Sequence, residues 1–178
     1  DCDTISFEGN NIPTIKSNFT QIFSPQTAYQ MTSILEGVIQ RGTGKSLRDL
    51  NLQLAGKTGT TNNNTDTWFI GFTSNLVVGV YVGFDNPKRL GKYETGSKTA
   101  LPIFKEFIKQ AITKSDSRPF KAAEGIIMMV VDPRTGLKAK FSSKNTIIEV
   151  YKNQNVKDGK VLHTNNDRLD TNNILKFY

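Results

Sequence analysis

The feature that most constrains the fold is an unbroken apolar stretch at residues 76–84. Successive side chains of a β-strand point to opposite faces, so every second residue indicates what covers each face. One face is apolar throughout: Leu76, Val78, Val80, Val82 and Phe84. The other face alternates large and small residues: Val77, Gly79, Tyr81 and Gly83. We predict a strand with both faces covered and a helix packed closely on the face that carries the glycines.

Amphipathic helical patterns lie on both sides of this stretch. Ser24 is a favourable helix cap and Pro25 suits the first helical position, so the apolar spacing that follows predicts a helix over residues 24–41. Gly42 and Gly44 end that pattern and open a polar loop. A second helix is predicted over residues 101–112, where the apolar side chains form one stripe.

Three further segments are typical of strands. Residues 52–61 and 67–73 flank an asparagine-rich turn and predict a hairpin, and residues 125–131 predict another strand, closed by a turn at 132–136. The predicted fold class is α+β, an antiparallel β-sheet with packed helices. Beyond Ser142 we interpret the sequence as a polar tail.

Composition argues against several classes of function. The net charge is +7, from 23 Lys and Arg against 16 Asp and Glu, yet basic residues run no longer than Lys88-Arg89 and are not interleaved with aromatic residues. We therefore expect a solvated basic surface and no nucleic-acid partner. The apolar stretch is shorter than the roughly 18 residues of a membrane span. Cys2 and His163 each stand alone, so we expect no metal site and no cofactor.

One short motif has the residues that an anionic ligand requires. Lys57-Thr58-Gly59-Thr60 follows a strand pattern and is flanked by Thr61. An ammonium group attracts a carboxylate, and two hydroxyls at a spacing of two residues lie on one side of a strand. The glycine leaves the backbone open to a ligand.

The surroundings of this motif carry a resemblance. The segments Ala55-Gly56-Lys57-Thr58-Gly59-Thr60-Thr61, Asp66-Thr67-Trp68-Phe69-Ile70-Gly71-Phe72 and Val78-Gly79-Val80-Tyr81-Val82-Gly83-Phe84-Asp85 strongly resemble the transpeptidase domain of class A penicillin-binding proteins. Weaker matches at Arg41-Gly42-Thr43-Gly44, Thr95-Gly96 and Glu124-Gly125 extend the similarity over residues 22–150. The resemblance implies residues 1–118 as the C-terminal part of the domain and residues 119–178 as an extension with a strand and a polar tail.

The resemblance also implies a chemistry and a fold. The fold would be part of the serine β-lactamase-like transpeptidase fold, and the activity would be D,D-transpeptidation of peptidoglycan stem peptides through a serine acyl-enzyme that β-lactams also form. Lys57 and Thr60 would be catalytic: Lys57 by its positive charge, Thr60 through a backbone N–H in the oxyanion hole. Lys57, Thr58, Gly59 and Thr60 would bind the substrate, with the two threonines at its carboxylate.

The chain departs from the family in two respects. No Ser-x-x-Lys, the motif of the nucleophile, occurs in its 178 residues, and Ser143-Lys144-Asn145 follows the Lys-Thr-Gly motif where the family's Ser-x-N precedes it. We expect the nucleophile and a membrane anchor in sequence before Asp1, a location at the periplasmic face of the bacterial inner membrane, and no activity from this chain alone. In the family, the strand with the Lys-Thr-Gly motif borders a cleft whose opposite side carries the nucleophile. A chain that lacks that side would expose a strand edge and apolar side chains, so we expect it to self-associate.

Two other functions compete with this hypothesis. A non-catalytic module could bind peptidoglycan or a protein partner through the same strand. A nucleotide-binding protein is suggested by Gly42-Thr43-Gly44-Lys45-Ser46, but a phosphate-binding loop needs glycine at position 39, which is Ile39, and a preceding strand.

Overall fold

The computed structural model of the protein describes residues 20–112, 118–140, 143–157 and 160–161. Cys2 and His163 lie outside these residues. Two main helices, α1 (Pro25–Gln40) and α2 (Ala100–Ala111), accompany a three-stranded antiparallel sheet, and a 3-10 helix, Lys45–Leu50, follows α1. The sheet has the order β1 (Ala55–Thr60), β2 (Asp66–Phe72), β3 (Val77–Gly83). Four further strands are β4 (Ile126–Val131), β5 (Ile147–Lys152), β6 (Val156–Lys157) and β7 (Lys160–Val161).

The first helix forms where its end signals predict it. The Ser24 side chain caps α1 by accepting a hydrogen bond from the Thr27 backbone N–H at 3.2 Å, and Pro25 occupies the first turn. The helix ends at Arg41, and the N–H of Gly44 still donates to the Val38 carbonyl oxygen at 3.0 Å. The predicted span of 24–41 is therefore confirmed, and the polar loop contains the 3-10 helix.

The core lies between α2 and one face of the sheet. The Phe69 ring of β2 packs edge-on against the Phe104 ring of α2, with centroids 4.7 Å apart. Gly71 permits this approach, because a Cβ there would lie 2.6 Å from the Phe104 Cζ. The buried cluster that contains Phe69 and Phe104 is also contacted by four residues of the β3 segment: Leu76, Val78, Val80 and Val82. We call this side, which also carries Thr58, Thr60 and Thr67, the inner face.

The prediction that α2 covers the glycine-bearing face of β3 is wrong. That side, which we call the outer face, carries Lys57, Trp68, Ile70, Val77 and Tyr81, and these five side chains are exposed. Val77 is 70% exposed and Tyr81 is 50% exposed. The physical reason is local, since a Cβ at Gly83 would collide with the Tyr81 hydroxyl. The small residue makes room for the tyrosine two positions earlier and not for a helix.

A second sheet was only half predicted. The strand predicted at 125–131 is β4, and its partner β5 lies in the region interpreted as a polar tail. We call the antiparallel β4–β5 pair the C-terminal ribbon. It meets α1 through side chains: the amide groups of Gln26 and Gln30 donate to the carbonyl oxygens of Glu124 and Val150, and Lys152 donates to Thr27.

The α+β class with antiparallel sheets and packed helices is confirmed. None of the helices within the described ranges combines the length and the apolar character that a membrane crossing needs.

Candidate functional site

The four predicted site residues all lie on β1, which is an edge strand of the three-stranded sheet. Their side chains divide between its two faces. Lys57 and Gly59 pair with Ile70 and Trp68 on the outer face, while Thr58 and Thr60 pair with Phe69 and Thr67 on the inner face. The two hydroxyls therefore share a side, as predicted, and the ammonium group begins on the opposite side.

Lys57 reaches back to the free edge of the strand. Its Nζ donates to the Thr58 carbonyl oxygen at 2.9 Å, and the residue is exposed. An ammonium group has three donors, so the contact leaves two N–H groups for another ligand. The charge of Lys57 thus lies beside the unpaired backbone of β1.

The free edge of β1 also presents the N–H of Thr60. Thr61 N–H donates to the Asp66 carbonyl oxygen at 3.1 Å, so the odd-numbered backbone groups here face β2. Backbone groups alternate in direction along an antiparallel strand, and the N–H of Thr60 therefore points to the open edge. The Thr58 carbonyl oxygen that receives Lys57 lies on the same edge, in agreement with this alternation.

Each threonine hydroxyl has one neighbour from a different loop. Thr58 Oγ1 lies 3.0 Å from Thr43 Oγ1, in the loop after α1. Thr60 Oγ1 accepts a hydrogen bond from the backbone N–H of Gly96 at 3.0 Å. The first contact can run in either direction, whereas the second fixes Thr60 as the acceptor.

Gly59 leaves little space on the outer face. A Cβ at Gly59 would lie 3.2 Å from the Trp68 Cβ, which is tighter than ordinary van der Waals contact. The Trp68 ring in turn lies 4.9 Å from the Tyr81 ring, centroid to centroid, with the planes tilted by 56°. Trp68 is 41% exposed on the outer face.

Of the two competing motifs, residues 42–46 contact the site through Thr43, whose Oγ1 lies beside that of Thr58. Residues 42–46 follow a helix rather than a strand, so they lack the geometry of a phosphate-binding loop. Ser143, Lys144 and Asn145 are exposed and precede β5. A surface depression of about 720 Å³ lies between α1 and residues 120–124, and none of the four site residues lines it. Within the described ranges, no group of three acidic, histidine or cysteine side chains is placed to hold a metal ion.

Burial and hydrogen bonding shift the pKa values of several groups on the helices of the described part of the chain. Burial raises the pKa of the Glu36 carboxyl above its ordinary value. Burial, and then the charge of Glu36, raise the pKa of Tyr29 on the same helix. A hydrogen bond from Lys105, 2.6 Å away, lowers the pKa of Asp49 and joins the 3-10 helix to α2. These groups stabilise or strain the scaffold and are not part of the site.

Sequence reasoning did not identify the contacts of Thr43 and Gly96 with the site. Both residues belonged to segments that carry the family resemblance, but nothing in the sequence placed them beside particular threonines. The available signal was a run of small residues, Thr95-Gly96-Ser97, immediately before a helix. Such a run permits close backbone approach without saying to what.

Comparisons with known proteins identify the family. The family model described as "Penicillin binding protein transpeptidase domain" matches residues 15–109. The chain is 45% identical over 156 residues to penicillin-binding protein 1A of Rickettsia prowazekii, covering 88% of this chain and 19% of that protein. It is 41% identical over 135 residues to the protein of the same name from Pseudomonas aeruginosa, covering 75% of this chain and 16% of that protein.

A solved structure agrees with these matches. The crystal structure of penicillin-binding protein 1A from Haemophilus influenzae superposes with a TM-score of 0.67 at 28% identity, over 80% of this chain and 22% of that one. The chain thus spans about a fifth of the length of the relatives it matches. Together, the match over residues 15–109 and the shared architecture show that this chain belongs to the penicillin-binding protein transpeptidase domain family.

Proposed function

We propose that this chain is the substrate-cradling part of a peptidoglycan D,D-transpeptidase that works through a serine acyl-enzyme. Serine would attack the penultimate D-alanine carbonyl carbon of a stem peptide, a neighbouring lysine would take the serine proton, and the terminal D-alanine would leave as a protonated amine. An amine of a second stem peptide would then attack the acyl-enzyme carbonyl carbon, forming the cross-linking amide bond as the serine ester bond breaks and a proton from the amine returns to the serine oxygen. A β-lactam would acylate the same serine as its ring C–N bond opens.

The observation that carries this proposal is the geometry of β1. An edge strand with a lysine charge, two hydroxyls and an outward N–H offers a cation and donors for a carboxylate, and one donor for a developing oxyanion. We assign Lys57 a catalytic role through its charge beside the serine of the family's Ser-x-N motif, and Thr60 a catalytic role through its backbone N–H. Thr58 and Thr60 would bind the terminal carboxylate, and Gly59 would let the substrate approach the strand.

The proposal includes the domain division at residues 118 and 119 and a location at the periplasmic face of the bacterial inner membrane. It also holds that the serine comes from outside these 178 residues, since no Ser-x-x-Lys occurs within them. The chain alone would then be inactive. Family membership gives no support to the rival hypothesis of a non-catalytic module that binds peptidoglycan or a protein partner.

Intact-mass spectrometry after incubation with benzylpenicillin tests the missing nucleophile. We expect this chain to keep its unmodified mass, because acylation requires an activated serine. The full gene product that includes a Ser-x-x-Lys serine is the positive control and should gain one penicilloyl group. A stoichiometric adduct on the chain alone would overturn the assignment, and a full gene product without any adduct would favour the binding module.

A further inference from the structure

The loop at residues 95–99 lies directly on β1, close to Thr60. Gly96 is buried, and a Cβ there would lie 2.5 Å from the Trp68 carbonyl oxygen and 2.6 Å from the Gly59 carbonyl oxygen. Both are backbone atoms of paired strands, so they cannot move aside as a flexible side chain could. Position 96 therefore accepts only glycine while the loop stays in this place.

A hydrogen bond with a buried threonine of β2 fixes the position of the same loop. Thr67 of β2 is fully buried, and its Oγ1 lies 2.6 Å from Thr99 Oγ1. Thr99 Oγ1 also contacts the Thr95 carbonyl oxygen at 3.0 Å, which makes it the donor in that second bond. The carbonyl oxygen of Gly96 accepts the Leu101 N–H at 2.9 Å, at the start of α2. The N–H of Gly96 is thus held in one direction by the loop and the helix together.

That direction is toward Thr60, where it has a chemical consequence. A hydroxyl that accepts a hydrogen bond keeps its own proton to donate. Thr60 is exposed, and among the residues that the structure describes we find no acceptor for that proton. A carboxylate accepts hydrogen bonds only, so a hydroxyl fixed as a donor suits it better than one free to rotate.

We propose that Gly96 is a positioning residue: its backbone N–H occupies the acceptor side of Thr60 Oγ1 and aims the Thr60 proton at the substrate carboxylate. The inference rests on the proposed function, because it presupposes that Thr60 binds that carboxylate. It adds to the site a residue that lies outside the Lys-Thr-Gly strand. The backbone N–H of Gly96 acts on the substrate indirectly, through the hydroxyl of Thr60.

The contact itself is tested by NMR on this chain. In Thr60→Ser, which keeps a hydroxyl, the Gly96 amide should keep its chemical shift and its slow hydrogen exchange. In Thr60→Val, which keeps the shape and removes the hydroxyl, the Gly96 amide should shift upfield and exchange faster. An unchanged Gly96 amide in Thr60→Val would overturn the proposal without any need for a Gly96 variant to fold.

The role in recognition is tested in the full gene product by comparing benzylpenicillin with its methyl ester. The ratio of their second-order acylation rate constants isolates the contribution of the carboxylate. We expect Gly96→Ala and Thr60→Val each to lower this ratio about tenfold, the worth of one charge-assisted hydrogen bond. Adding Gly96→Ala to Thr60→Val should lower it no further, because the N–H acts only through the hydroxyl.

Gly37→Ala is the matched control, since a Cβ there meets only the end of the Arg41 side chain, and it should leave the ratio unchanged. A general loss of structure would slow the acid and the ester equally. If Thr60→Val lowers the ratio and Gly96→Ala slows both compounds alike, the positioning role is overturned while the proposed function stands. If Thr60→Val leaves the ratio unchanged, the carboxylate role of Thr60 in the proposed function fails as well.

Discussion

Lys57 and Thr60 are three residues apart on β1, so their side chains leave the strand on opposite faces. Only the free edge of the strand is accessible to both: Lys57 bends to it over the Thr58 carbonyl oxygen, and Thr60 presents its N–H there. A ligand that uses both residues must therefore lie along the edge, with its long axis parallel to the strand.

Replacing Lys57 by alanine should slow acylation of the full gene product by benzylpenicillin about a hundredfold or more. The reason is that a positive charge aimed at the developing anion contributes far more to the transition state than an exposed charge contributes to folding. Stopped-flow measurement of the acylation rate constant checks this. Lys138→Ala, at an exposed position after the 132–136 turn, is the control and should acylate at the original rate. A loss below tenfold for Lys57→Ala would contradict the role that we assign to this residue.

Glu36 makes folding depend on pH in a definite direction. Burial raises the pKa of its carboxyl above the ordinary value of 4.5, so the folded state holds this proton more tightly than the unfolded state does. Stability from this group is complete below the ordinary pKa and is lost as the pH rises through the raised pKa. We expect Glu36→Gln to be more stable than the original chain at pH 7 and to lose that advantage near pH 4.

Urea unfolding at a series of pH values checks this expectation, with Glu124→Gln as a control at an exposed position. The stability difference between Glu36→Gln and the original chain should grow with pH only through the window above the ordinary carboxyl pKa. A difference that is constant from pH 4 to pH 7 would show that the Glu36 carboxyl is not strained by burial.

At the scale of elements, the sequence predicted both helices, the β1–β2 hairpin and β3. Each of these has its own apolar periodicity and has residues typical of its ends. The face on which α2 packs was not predictable from β3 alone. Gly71 in β2 allows the approach of Phe104, and a pattern within one strand says nothing about space in its neighbour. In β5, Glu149 and Lys152 interrupt both possible apolar faces, so its pairing with β4 supplies the order that its own sequence does not indicate.

Gly71→Ala should destabilise the fold by about 1 to 3 kcal/mol, because the added methyl group would overlap the buried rings of Phe69 and Phe104. Gly79→Ala is the matched control in the adjacent strand, where the nearest atom to a Cβ is the Ile70 Cγ1 at 3.9 Å. We expect that control to change stability by less than about 0.5 kcal/mol. Equal losses for the two variants in chemical denaturation would show that the helix does not approach the sheet at Gly71.

At the scale of the whole molecule, the sheet is covered on its inner face and open on its outer face. Trp68, Ile70, Val77 and Tyr81 expose apolar surface together, and β1 adds an unpaired edge. The sequence correctly predicted the fold class and a strand that carries Lys57, Thr58, Gly59 and Thr60. It could not show that this strand meets Gly96, because that contact joins segments 36 residues apart through backbone atoms, which leave no pattern in the sequence.

We expect the isolated chain to self-associate through this outer face and the free edge, most simply as a symmetric dimer. Light scattering across a concentration series measures the mass directly. Val77→Lys should shift the chain toward monomer, whereas Ile148→Lys, at a similarly exposed position of the C-terminal ribbon, should not. A monomer at high micromolar concentration with a cooperative melt would contradict this expectation, because it would show that the chain buries its apolar core without a partner.

The C-terminal ribbon shares no backbone ladder with the three-stranded sheet, and its polar links to α1 are side-chain contacts such as those of Gln30 and Lys152. Contacts between individual side chains can break one at a time, whereas the backbone hydrogen bonds of a strand pair are lost together. We therefore expect the ribbon to open locally while α2 and the sheet stay folded. Such an opening would leave the threonines of β1 in place, because they belong to the three-stranded sheet.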